Sequence, residues 1–174
     1  MRNAVAQADI ITLTICHNDT PWNSLDDPCD GKGGYSWARY HGTCLQKTAT
    51  AFRKNVSATL AAIAALRKGR PTAIRVTNDY NDLIGYNGQI GDPATPRLAY
   101  LAVKHAVDLF AAISCRLAAQ YHAVCADTYH AFNGPHGLRD AGPLLAPDHT
   151  RPSQRGHNLI AALLLKTGWA PLLR

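Results

Sequence analysis

Two short polar segments hold the residue types best suited to chemistry. Cys16-His17-Asn18-Asp19 ends one apolar run, and Asp148-His149-Thr150-Arg151-Pro152-Ser153 leads into another. An amide such as Asn18, held at a strand end, is a neutral donor able to face negative charge developing on a tetrahedral intermediate. A carboxylate such as Asp148 is a group type that can hold a basic side chain in place. Arg151 stays protonated at any working pH, so it cannot accept a proton from a nucleophile. Each residue also has a plainer use: Asn18 or Asp19 as a turn cap, Asp148 as a loop carboxylate.

The elements that must position these segments follow from hydropathy. Residues 8–15 are β-branched and almost continuously apolar, which suits a strand buried on both faces of a parallel sheet. A long loop with Pro28, Gly31, Gly33 and Gly34 follows. Residues 48–68 form a helix with Phe52, Val56, Leu60, Ile63 and Leu66 on one face, stopped by Gly69 and Pro71. The spacing then predicts a strand over 72–77, a loop over 78–96 and a helix over 97–121. The apolar side of that helix carries Val103, Val107, Phe110, Ser114 and Leu117. A third strand over 122–128, a loop over 129–147 and a last helix over 153–166, capped by Ser153, complete the pattern. Strands alternating with helices mean an α/β fold with parallel strands. Ligands of such sheets sit at the carboxyl ends of the strands, where Asn18 and the segment before the last helix are expected to meet.

The order and wording of these segments resemble the SGNH/GDSL-type hydrolases (lipases and esterases), in particular secreted actinobacterial-like members. The likeness rests on Thr12-Leu13-Thr14-Ile15 before the first segment, Pro21-Trp22-Asn23 after it, and Pro152-Ser153-Gln154-Arg155-Gly156-His157. It implies a single domain over 1–174, a three-layer α/β/α sandwich of the SGNH or flavodoxin-like kind, lacking its first strand or strands. It also implies that Asn18 belongs to an oxyanion hole, that Asp148 is a triad carboxylate, and that Arg151 occupies the triad histidine position.

The departures are equally specific. The chain contains no Gly-Asp-Ser segment to supply a nucleophile, and the resemblance implies that the N-terminal part that would carry it is missing. Cys16 stands where the motif has glycine, and a side chain there crowds a turn that favours a glycine-like backbone. Ser36, in Gly34-Tyr35-Ser36-Trp37-Ala38, lacks the strand and helix that a nucleophile elbow requires. His17 and His149 are neighbours of the motif positions, and Cys16 as a nucleophile needs a paired base. The expectation is an ester-hydrolase relative, impaired or inactive as this chain, taking a small ester or acyl substrate without a cofactor. The alternative is a non-catalytic ligand-binding protein, a gene fragment or one half of a split enzyme.

Composition narrows the rest. The net charge of +6 is scattered, and its one tight cluster, Arg67, Lys68 and Arg70, ends a helix whose dipole cations complement. A basic stripe with interleaved aromatics is lacking, so nucleic acid is not an expected partner. No apolar run reaches the roughly 18–20 residues of a membrane span. Met1-Arg2-Asn3 does not open a signal peptide, whereas the family resemblance and the cysteines suggest an extracytoplasmic setting. Cys29 with Cys44, and Cys115 with Cys125, are the pairs nearest in sequence, each closing a loop of about 10–16 residues worth ~2–4 kcal/mol if oxidised. Five cysteines with one left over allow about 15 arrangements, and the spacing suits no metal site. An apolar sheet edge at 8–15 is expected to invite self-association.

Overall fold

Every residue of the strand Ala73–Thr77 is buried, and the rest of the fold is arranged around it. The computed structural model describes residues 1–16, 43–84 and 96–172. In it, three parallel strands lie in the order β1-β2-β3: β1 is Ile10–Thr14, β2 Ala73–Thr77 and β3 Val124–Ala126. The register pairs Ile10 with Ala73 through Thr14 with Thr77, and Arg75 with Val124 through Thr77 with Ala126. Helices α2 (Thr43–Arg67) and α3 (Pro96–Gln120) make the two crossovers, so the expected α/β class with parallel strands is what forms. Burial on both faces, expected of the first strand, holds for β2 instead. In β1 only Ile11 is fully buried, while Ile10, Thr12 and Thr14 face solvent. Among the described residues β1 pairs with β2 alone, so its outer edge is open.

The helix faces read from spacing are the faces that pack. Phe52, Val56, Leu60 and Ile63 of α2 are buried, with Leu66 half-buried. Val103, Val107, Phe110, Ser114 and Leu117 of α3 are buried as well. Phe52 and Phe110 meet with ring centroids 4.8 Å apart, and both pack with Ile11, Ile74 and Val76 of the sheet. Each such apolar side chain contributes roughly 1.5–3 kcal/mol, against about 0–1 kcal/mol for an exposed ion pair. The helix–sheet core therefore dominates stability, and the polar strand ends are carried by it.

Two arginines are buried with their guanidinium groups hydrogen-bonded. Arg67, the last residue of α2, is buried and donates to Thr72 Oγ1 (2.6 Å), to the Ala6 carbonyl (2.8 Å) and to Asp9 Oδ1 (3.3 Å). It ties a short helix α1 (Arg2–Gln7), absent from the sequence expectation, to the end of α2. Arg75, in the middle of β2, donates to Thr167 Oγ1 (2.6 Å) and to the carbonyls of Gly168 (2.5 Å) and Ala170 (3.1 Å). Carbonyls left over at a helix end are natural partners for a guanidinium.

The third strand is shorter than 122–128. His122 turns left-handed (φ 56°) as α3 ends, and Asp127 leaves the sheet to cap a new helix. That helix, α4 (Thr128–Asn133), takes its first residue from the expected strand and the rest from the stretch 129–147 expected to be loop, which also holds a 3₁₀ turn at Gly142–Leu144. The last helix, α5 (Gln154–Lys166), begins as expected, with the Ser153 side chain accepting from the Gly156 amide. Cys115 and Cys125 form a disulfide between α3 and β3. Cys29 and the side chain of Cys44 lie outside the described residues. Among the described residues no helix is long and apolar enough to cross a membrane.

Candidate functional site

The carboxyl ends of the strands are where α/β sheets place ligands, and each described strand end here carries polar chemistry. At the end of β1, Cys16 is buried with φ 156°. That backbone conformation is one that residues with a side chain rarely adopt and costs of order 1–3 kcal/mol. Position 16 thus keeps a glycine-like geometry while carrying a cysteine. Asn18, with His17, Asp19 and Ser36, lies outside the described residues.

Asp148 and Arg151 are brought together, within a loop closed on itself. The Ala146 amide donates to the Arg151 carbonyl (2.7 Å) and the Ser153 amide to the Leu144 carbonyl (2.8 Å). These bonds pinch off a turn in which His149 is left-handed (φ 57°). Asp148 Oδ1 accepts from the amides of Thr150 (3.0 Å) and Arg151 (2.9 Å), and Oδ2 accepts from Arg151 Nη1 (2.6 Å). The Arg151 and Thr150 amides, and then the Arg151 guanidinium, hold the Asp148 carboxyl at about 2, well below the usual carboxylate range. The Arg151 side chain is 80% exposed. The loop is held to the body by Tyr80, whose hydroxyl donates to the Thr150 carbonyl (2.7 Å) and whose ring stacks on Phe132 at 4.3 Å. Burial first, then the carboxylates of Asp79, Asp82 and Asp148, push the Tyr80 phenol up, so it stays a neutral donor. Gly156 lets α5 start against this loop, since a Cβ there would come within 2.3 Å of the Leu144 carbonyl oxygen.

A second carboxylate cluster, which sequence reasoning passed over, lies at the ends of β2 and β3. Asn78 follows β2 directly and is buried. Its Nδ2 donates to Asp127 Oδ1 (2.8 Å), and its Oδ1 accepts from the Tyr129 amide (2.9 Å) and from Thr128 Oγ1 (3.0 Å). Asp127 Oδ1 also accepts from the His130 amide (3.2 Å), and Oδ2 meets His130 Nδ1 at 2.6 Å. Partial burial raises the Asp127 carboxyl, but the bonds from Asn78 and His130 outweigh it and hold the group below its ordinary value. The signal was present in the sequence as Asp127-x-x-His130 at a strand end, the spacing looked for at Asp148. Nearby, buried Asn133 donates to the Asn81 carbonyl (2.8 Å) and accepts from the Asn81 amide (2.8 Å). Among the described residues no group of three or more His, Cys, Asp or Glu side chains is arranged to hold a metal.

No protein-family model matches this chain, and no curated protein matches it.

Proposed function

We propose that this chain is a catalytically impaired relative of the SGNH/GDSL-type ester hydrolases, with a three-layer α/β/α architecture. In this reading Asn18 is an oxyanion-hole donor, Asp148 the triad carboxylate, and Arg151 the occupant of the triad histidine position. One observation carries it: Asp148 Oδ2 grips Arg151 Nη1 at 2.6 Å at the entry to α5. The carboxylate holds the side chain three residues on, as a triad carboxylate holds its imidazole, but the group it holds has no lone pair to offer a proton. The glycine-like backbone at Cys16 and the capped start of α5 agree with the same motif. The natural substrate class would be a small ester or acyl compound, and what remains of the site would bind it more readily than turn it over.

The test compares hydrolysis of p-nitrophenyl butyrate by three forms: the chain itself, Arg151→His, and Arg151→His with a strand and Gly-Asp-Ser segment fused ahead of residue 1. Triad turnover is expected in the third form alone, since the triad needs both its serine nucleophile and its histidine base. Hydrolysis by the unaltered chain that Asn18→Ala abolishes would overturn the reading.

A second reading, in which another chain completes the sheet, is favoured by β1. Among the described residues its outer edge is unpaired, and Ile10, Thr12 and Thr14 are exposed, whereas β2 is buried throughout. Sedimentation that stays monomeric across a wide concentration range would count against self-association by that edge.

A further inference from the structure

We infer that His130, held by Asp127, is a nucleophilic imidazole that gives this chain a slow hydrolysis of activated esters independent of any triad. The choice of esters as electrophile rests on the reading above; the pair itself does not.

The geometry carries the inference in three steps. First, the imidazole is oriented. Nδ1 meets Asp127 Oδ2 at 2.6 Å, so the neutral ring is held as the tautomer with its proton on Nδ1 and its lone pair on Nε2. Among the described residues Nε2 has no partner, and the side chain is 47% exposed. Second, the carboxylate is itself fixed. Asp127 Oδ1 is held by Asn78 Nδ2, and Asn78 is locked in turn by Thr128 and the Tyr129 amide. Below the imidazole, Tyr129 lies 4.8 Å away ring to ring, with its hydroxyl donating to Asp108 (2.7 Å). A carboxylate that orients the imidazole, itself held by a fixed amide, keeps the ring in one tautomer with Nε2 as its free nitrogen. Third, Asn78 and Asp127 directly follow β2 and β3, which puts the pair at the carboxyl end of the sheet. His122, His136 and His157 are exposed, and among the described residues none of the three bonds a carboxylate.

The step balances without a cofactor. The Nε2 lone pair adds to the ester carbonyl carbon, forming a C–N bond. The C–O bond to the leaving group breaks, and the phenolate departs with the electron pair. Asp127 stabilises the positive acyl-imidazolium through Nδ1. Water then adds to the acyl carbon, the C–N bond breaks with its electrons returning to Nε2, and the acid leaves, its proton passing to solvent. His130 is the catalytic residue; Asp127 and Asn78 are positioning residues.

The experiment uses the full chain with p-nitrophenyl acetate, following release of nitrophenolate and the transient ultraviolet absorbance of acetyl-imidazole at neutral pH. His130→Gln is expected to lower the initial rate on the order of a hundredfold, the low end for a positioned imidazole, and to abolish that transient. Asp127→Asn is expected to reduce the transient, and circular dichroism of each variant checks the fold. His136→Gln, an exposed control, leaves the rate unchanged. Undiminished hydrolysis in folded His130→Gln overturns the inference; if that hydrolysis also falls in Asn18→Ala, the proposed loss of the triad fails with it. No hydrolysis above buffer overturns the inference alone and leaves the triad reading intact.

Discussion

The chain builds the same local device twice, at Asp127 and at Asp148, and the two differ in what lies behind them. In each, an aspartate takes the amide of the residue three positions on, at 3.2 and 2.9 Å, and holds that residue's side chain at 2.6 Å. At 130 the side chain is an imidazole; at 151 it is a guanidinium. The deeper difference is support. Asp127 is gripped by Asn78, 49 residues away in sequence and buried at the end of β2. Asp148 takes all three of its bonds from its own turn, with Tyr80 reaching only the Thr150 carbonyl. The same spacing of aspartate and basic side chain can thus be an anchored part of the sheet's end or a self-contained surface turn.

The contrast can be broken from the anchored side first. Replacing Cys115 and Cys125 by serine removes a cross-link closing a 10-residue span, and stability should fall by about 3 kcal/mol in urea unfolding. Because Asn78 Nδ2 also lies 3.6 Å from Cys115 Sγ, hydrogen exchange should rise at 127–133 before it rises at 144–153. Equal loss of protection in both stretches would mean that the two devices are not separately supported.

Asn78→Ala should cost about 2 kcal/mol, because it strips Asp127, Thr128 and the Tyr129 amide of a buried partner. The same substitution should raise the titration midpoint of the Asp127 carboxyl, since the Asn78 bond is the largest of the effects lowering it. An unchanged Asp127 midpoint would show that the long-range anchor matters less than the local turn.

The smallest effect belongs to the surface turn. The folded Asp148 carboxyl titrates at about 2, below an unfolded value of roughly 3.9. Its contribution to stability is therefore present above the unfolded value and is lost as pH falls toward 2. Arg151→Ala should move that midpoint up only part of the way, because the two amides that act most strongly remain. Carbon-detected NMR of the side-chain carboxyl reads both carboxylates in one titration, and a full return to the ordinary value would assign the hold to the guanidinium.

Much of the scaffold was legible because it is set by near neighbours. The apolar rows Phe52-Val56-Leu60-Ile63 and Val103-Val107-Phe110 recur at helical spacing, and those residues are the core. Ser153 reads as a cap because a cap needs only the next three residues, and its bond to Gly156 forms. Asp148 and Arg151 were likewise readable together, three positions apart. Asp127-x-x-His130 was just as local and was passed over, because residues 122–128 read as strand and 129–147 as loop. The helix that begins at Thr128 is started by the Asp127 cap.

By itself the sequence determined the alternation of strands and helices, the buried faces of the two long helices, the cap of the last one, and a cysteine pair close enough in the chain to join. Tertiary structure decided which strand is central, where Arg67 and Arg75 find their acceptors, and which of two aspartates is anchored. The physical reason is common to these three. Burial of a polar group is tolerated when hydrogen-bond partners are supplied, and distant chain supplies some of them here, as Ala6 does for Arg67 and Thr167 to Ala170 for Arg75; Asn78 likewise reaches the half-exposed Asp127. Such partners are chosen by folding, and no window of neighbouring residues contains them.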